Sequence, residues 1–169
     1  MTVTTFLAGL VLAACSHGAT EIPATTTETT QDPASAEVRA EATVRPGIEV
    51  LEAQDFAPLK GKRVGLITNP TGIDNSMRST IDILASAPGV KLTALFAPEH
   101  GVRGDHVAGA NVANDVDKKT GVKVYSLHGT TKKPTTEMLR DVDVLVYDIQ
   151  DIGCRSYTFI STMGLAMEA

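Results

Sequence analysis

From Arg63 onward the chain repeats one pattern: a short apolar run, a Gly- or Pro-containing loop, then apolar residues at helical spacing. Arg63 to Asn69 (Arg-Val-Gly-Leu-Ile-Thr-Asn) reads as a strand that ends in the turn signal Pro70-Thr71-Gly72. Met77, Ile81, Leu84 and Ala85 then predict a helix over Asp74 to Ala87, with Asp74 or Ser76 as N-cap and Pro88-Gly89 as terminator. Lys91 to Ala97 and Val122 to Leu127 read as further strands, and Val142 to Ile149 is the most strand-like run of all. Thr135 to Arg140 predicts a short helix, and from Ser156 onward Phe159, Ile160, Met163 and Met167 mark another, still running at Ala169. Short strands that are apolar on both faces and separated by helices are the mark of a parallel sheet covered on both sides. The expected fold class is α/β, doubly wound.

The first 45 residues break this pattern. Phe6 to Ala14 is an apolar run too short to span a bilayer and suited to the core of a signal peptide. It leads into Leu12-Ala13-Ala14-Cys15, which resembles a bacterial lipobox, so residues 1–15 read as a signal peptide with Cys15 as lipidation site, although Met1 to Thr5 carries no Lys or Arg. Residues 16–45 are rich in Thr, Ala, Glu and Pro; six of the twelve from Thr20 to Gln31 are Thr, and no periodic apolar face runs through them. Such a stretch buries too little apolar surface to offset its ordering entropy and predicts a disordered linker. The folded part is expected over residues 46–169, in the cell envelope, lipid-anchored or periplasmic or secreted, with the lipid anchor as its only tie to a membrane.

Composition narrows the functions. Aromatic residues are 4% with no Trp, the net charge is −5 and no basic stripe exists, which argues against nucleic acid as a partner. Two cysteines cannot build a disulfide scaffold. No Gly-x-Gly-x-x-Gly follows the first strand, and no Walker-type Gly-Lys-Ser/Thr or Gly-x-Ser-x-Gly elbow occurs, so nucleotide binding and α/β-hydrolase chemistry lack support.

Ligands of a doubly wound sheet bind at the carboxyl ends of its strands. Those ends carry Asn69 and its loop, then Glu99-His100-Gly101-Val102-Arg103, then His128, and finally Asp148, Gln150, Asp151, Cys154, Arg155 and Tyr157. Each has a plain structural alternative: Asn69 as a turn cap, His100 as a satisfied loop histidine, Asp148 as a strand-end cap, Cys154 as a small buried residue. Lys118-Lys119 and Lys132-Lys133 read as solvated faces. Glu99, directly after a buried strand and a Pro and flanked by His100 and Arg103, is the hardest to dismiss as structural. Carboxylates on neighbouring strand-end loops are what glycoside hydrolysis requires: one acid protonates the leaving oxygen, another group stabilises or attacks the oxocarbenium centre. A retaining, an inverting and a substrate-assisted route all remain open. Two other classes fit the same loops: an exported sugar- or anion-binding module without catalysis, and a metallohydrolase using Glu99, His100, Asp105, His106 and His128.

The blocks Val64-Gly65-Leu66-Ile67-Thr68-Asn69-Pro70-Thr71-Gly72, Leu95-Phe96-Ala97-Pro98-Glu99-His100-Gly101-Val102-Arg103-Gly104, Val124-Tyr125-Ser126-Leu127-His128-Gly129 and Asp148-Ile149-Gln150-Asp151-Ile152-Gly153-Cys154-Arg155-Ser156-Tyr157, in this order, resemble the successive motifs of the NamZ-type exo-β-N-acetylmuramidases. The resemblance covers roughly Gly47 to Ala169. It implies a Rossmann-like catalytic domain, here its N-terminal part without the smaller C-terminal auxiliary domain, that releases N-acetylmuramic acid from non-reducing ends of peptidoglycan fragments and is inactive alone. Muropeptides or disaccharides would be the partners, with no cofactor and no metal. Glu99 would be the catalytic carboxylate, with Asp148 and Asp151 as further candidates, and Asn69, His100, Arg103, His128, Gln150, Arg155 and Tyr157 would face the substrate. Ser156 stands where many relatives carry an aromatic residue. The lactyl carboxylate of muramic acid calls for a cation, and Arg103 or Arg155 could supply it by bidentate pairing.

Overall fold

A computed structural model describes residues 44–104 and 115–169. Cys15, the apolar run before it, nearly all of the expected linker, Asp105 and His106 lie outside the described residues.

Five strands make one sheet: β1 (Arg63–Thr68), β2 (Lys91–Ala97), β3 (Asp115–Val116), β4 (Lys123–Ser126) and β5 (Val144–Asp148), in the order β3-β4-β2-β1-β5. β1 pairs in parallel with β2 and β5, and β2 pairs in parallel with β4. Taken by themselves, the four parallel strands lie in the order third-second-first-fourth, the doubly wound Rossmann arrangement. The sheet is mixed rather than purely parallel, because β3 adds antiparallel to β4 at the edge.

The four parallel strands form where the sequence reading placed them because their apolar residues alternate between two cores, whereas β3, two exposed residues, was not expected. Val64 and Leu66 of β1 and Leu95 and Ala97 of β2 enter one core, under α1 (Gly47–Ala53) and α2 (Thr80–Ser86), with Ile48, Ile81 and Leu84. Ile67, Ala94 and Phe96 enter the other, with Ala166 of α3 (Phe159–Glu168). Among the described residues no helix is long and apolar enough to cross a membrane.

Three helical expectations change. α2 starts at Thr80, capped by the Ser79 hydroxyl, not at Asp74. The Asp74 carboxylate instead accepts the backbone N–H groups of Ser76 and Arg78 at 2.9 and 2.7 Å and pairs with the Arg78 guanidinium at 2.6 Å. This local bonding competes with helix formation. It leaves Met77 exposed at φ 64°, a value no α-helix tolerates. Thr135 to Arg140 makes turns rather than a helix: one i to i+4 bond (Leu139 N–H to Thr135 O, 3.1 Å) gives way to i to i+3 bonds at Arg140 and Val142. α3 has the expected period with a shifted face, burying Phe159, Thr162 and Ala166 while Ile160 and Met167 are exposed. Thr162 can be buried because its hydroxyl donates to Thr158 O at 3.3 Å.

Candidate active site

Because four strands run parallel, their carboxyl ends bring the four motif loops to one edge of the sheet. The side chains there form two groups.

The first joins the loops after β1 and β5, on either side of the point where strand order reverses. Thr68 Oγ1 donates to the Asp148 carbonyl at 2.7 Å, and Thr80 Oγ1 donates to the Asp148 carboxylate. Asn69 is buried, and its Oδ1 accepts from Thr71 N–H and Oγ1 at 2.9 and 2.6 Å. Thr71 Oγ1 in turn accepts the Gln150 N–H at 2.9 Å. Asn69 and Asp148 therefore shape this loop pair through the capping bonds that were their structural alternatives. Gly72 sits where no side chain fits: a Cβ would lie 2.2 Å from Thr68 Oγ1 and 2.8 Å from the Asp148 carbonyl oxygen.

The second group gathers around Glu99. Pro98 is buried, Glu99 and His100 are half-buried, and His100 takes φ 72°, an uncommon conformation for a residue other than Gly. Backbone strain of this kind clusters at functional sites. Glu99 lines a cavity of about 230 Å³ with His128, Lys132 and Leu127 from the β4 side and Thr158, Ser161, Thr162 and Leu165 from the N-cap and one face of α3. Tyr147 OH donates to Phe159 O at 3.0 Å, tying β5 to that helix, and burial, helped by the Asp151 carboxylate, pushes the Tyr147 pKa up.

Arg103 points away from this cavity's chemistry. Its Nε donates to Asp117 Oδ1 at 2.5 Å, and its Nη2 reaches Asp117 Oδ2 at 2.9 Å and Asp82 Oδ1 at 3.0 Å. The guanidinium and the bonds from Thr120 hold the buried Asp117 carboxyl well below the usual carboxylate range. Asp117 was not among the sequence candidates, and its only sequence signal is an acid beside a two-residue strand too short to read. Asp151, Cys154, Arg155 and Tyr157 lie on an exposed segment. There Asp151 Oδ1 accepts the Gly153 N–H at 2.7 Å, and the Tyr157 ring packs against Phe159 with centroids 6.0 Å apart. Cys154 is exposed rather than buried, with its thiol 3.1 Å from Ser156 Oγ, a contact that lowers its pKa. No group of three or more His, Cys, Asp and Glu among the described residues converges on a metal position; of the five metal-ligand candidates, Asp105 and His106 lie outside them.

Residues 64–169, which hold every strand and loop of this site, match the family model described as exo-beta-N-acetylmuramidase NamZ, N-terminal. The chain belongs to the NamZ family. It is 50% identical over 168 residues to the peptidoglycan beta-N-acetylmuramidase NamZ of Bacillus subtilis (strain 168), an alignment covering 99% of this chain and 38% of that protein. The chain thus spans well under half the length of this NamZ relative. Two crystal structures of DUF1343 family proteins from Bacteroides fragilis share the fold. One is 66% identical with a TM-score of 0.67, over 73% of this chain and 30% of its own. The other is 31% identical with a TM-score of 0.57, over 75% and 31%.

Proposed function

We propose that this chain is the N-terminal catalytic part of an exo-acting glycoside hydrolase that releases N-acetylmuramic acid from the non-reducing ends of peptidoglycan fragments, with Glu99 as its acid–base carboxylate. The observation that carries this reading is the position of Glu99. In a chain of the NamZ family, Glu99 and the His128 imidazole line the same cavity at the carboxyl edge of the sheet. A half-buried carboxylic acid there can protonate a glycosidic oxygen, and His128 and the α3 hydroxyls can hold sugar hydroxyls.

Glu99→Gln keeps the side chain's shape while removing its titratable proton. In the full-length protein it should lower turnover of a natural muramic-acid disaccharide by about a hundred- to ten-thousand-fold with little change in melting temperature. An activated aryl glycoside needs less protonation of its leaving group and should lose less. Near wild-type turnover of the disaccharide would pass the role to Asp148 or Asp151, and binding without turnover in the wild type would leave a sugar-binding module.

The same reading places the protein in the cell envelope, anchored through a lipidated Cys15 and tethered by residues 16–45. Expressed from its native start, the protein should enter the detergent phase on phase partitioning and Cys15→Ala should stay aqueous; equal behaviour of the two rules the anchor out.

A further inference from the structure

We propose that Lys132 is the specificity-determining residue of the Glu99 cavity, the cation that takes the carboxylate of the substrate's lactyl arm. This deepens the proposed function and rests on it. N-acetylmuramic acid differs from N-acetylglucosamine by one ether-linked lactyl group, which is ionised at neutral pH. A site that prefers the acidic sugar needs a positive charge within reach of the bound ring.

Most of the nearby cations have their charge committed elsewhere. Arg103 is held by Asp117 and Asp82, Lys119 pairs with Asp82 at 2.6 Å, and Lys133 pairs with Glu168 at 3.1 Å. Arg155 lies on the exposed segment and does not line the cavity. Lys132 does line it, four residues after His128 on the same loop, and has no ion-pair partner among the described residues. Its ammonium is therefore the full positive charge of a cavity whose other polar groups are a carboxyl, an imidazole and three hydroxyls. A flexible lysine on a loop suits a small carboxylate on a rotatable ether arm, while the apolar Leu127 and Leu165 in the same wall favour the arm's methyl group. Lys132 is exposed, as a solvated-face reading expects, and it differs from Lys133 in lining the cavity and in having no carboxylate partner among the described residues.

The test compares an aryl β-glycoside of N-acetylmuramic acid with its lactyl methyl ester, which has the same shape and no charge, in the full-length protein. Wild type should prefer the acid. Lys132→Gln should lower kcat/KM on the acid by roughly ten- to a hundred-fold, mostly through KM, the size of a hydrogen bond between charged groups. Its loss on the ester should be several-fold smaller than its loss on the acid. Lys132→Arg should keep most of the preference. A wild type indifferent to esterification, or a Lys132→Gln variant that still prefers the acid, would overturn the assignment. If the wild type cleaves neither glycoside, the proposed function fails, and Lys132 is then read by calorimetry. Free N-acetylmuramic acid binding wild type more tightly than Lys132→Gln supports the site, and equal or absent binding overturns it.

Discussion

At the scale of single residues, the switch-point loops are held by atoms too close to admit change. Adding a methyl group at Gly72 drives it into Thr68 Oγ1 and the Asp148 carbonyl, the two atoms whose hydrogen bond joins β1 to β5. Overpacking of this kind costs about 1–3 kcal/mol. Gly72→Ala should therefore lower the unfolding free energy by that amount, read in urea as a lower midpoint with an unchanged slope. Thr68→Ala in the same chain should recover part of the loss, because it removes the nearer of the clashing atoms; full additivity of the two changes would show that the clash is not the cause. Residue identity alone made Asn69, Glu99 and Asp148 visible as candidates, since polar groups directly after apolar strands are few. It could not separate caps from cavity residues. That distinction depends on Thr71 and Thr80, whose hydroxyls satisfy Asn69 and Asp148, and on the α3 turn that closes over Glu99.

Among the elements, Arg103 bonds the loop after β2 both to α2 through Asp82 and to the β3–β4 turn through Asp117. Asp117 is the more buried partner and also accepts Thr120 N–H and Oγ1 at 2.9 and 2.6 Å. Asp117→Asn should cost about 1.5–3 kcal/mol at pH 7, the range for hydrogen bonds to charged groups. The folded-state pKa of Asp117 is depressed, so the stabilisation is complete above the unfolded value near 4 and fades as pH falls below it toward the folded value. Melting temperatures of wild type and Asp117→Asn should accordingly be far apart at pH 7 and converge below about pH 4. A constant gap down to pH 3 would mean that the charge on Asp117 is not the source.

The four parallel strands were legible because alternation into two cores leaves a dense apolar record in the sequence, as in Val64 to Thr68 and Val144 to Asp148, while the exposed two-residue β3 leaves none. α1 was missed because its seven residues bury one side chain, Ile48. The start of α2 was misread because Met77 falls on the helical period while the Asp74 bonds, invisible to periodicity, hold it outside the helix.

For the whole molecule, the order β3-β4-β2-β1-β5 puts β1 between its earliest and its latest parallel partners. β2 begins at Lys91, soon after β1 ends, whereas Thr68 and Asp148, joined in the folded sheet, are 80 residues apart in sequence. A ribosome adding about 5–20 residues each second leaves an interval of roughly 4–16 s between synthesis of those two positions. During that interval the emerging polypeptide can zip β1 onto β2, yet one flank of β1, carrying Gly65 and Ile67, has nothing to bond. Pairings this distant in sequence are slow to form and leave unpaired edges open to aggregation. The strand that positions Asn69 is thus the one whose nascent form most needs shielding until Val144 to Asp148 has left the exit tunnel.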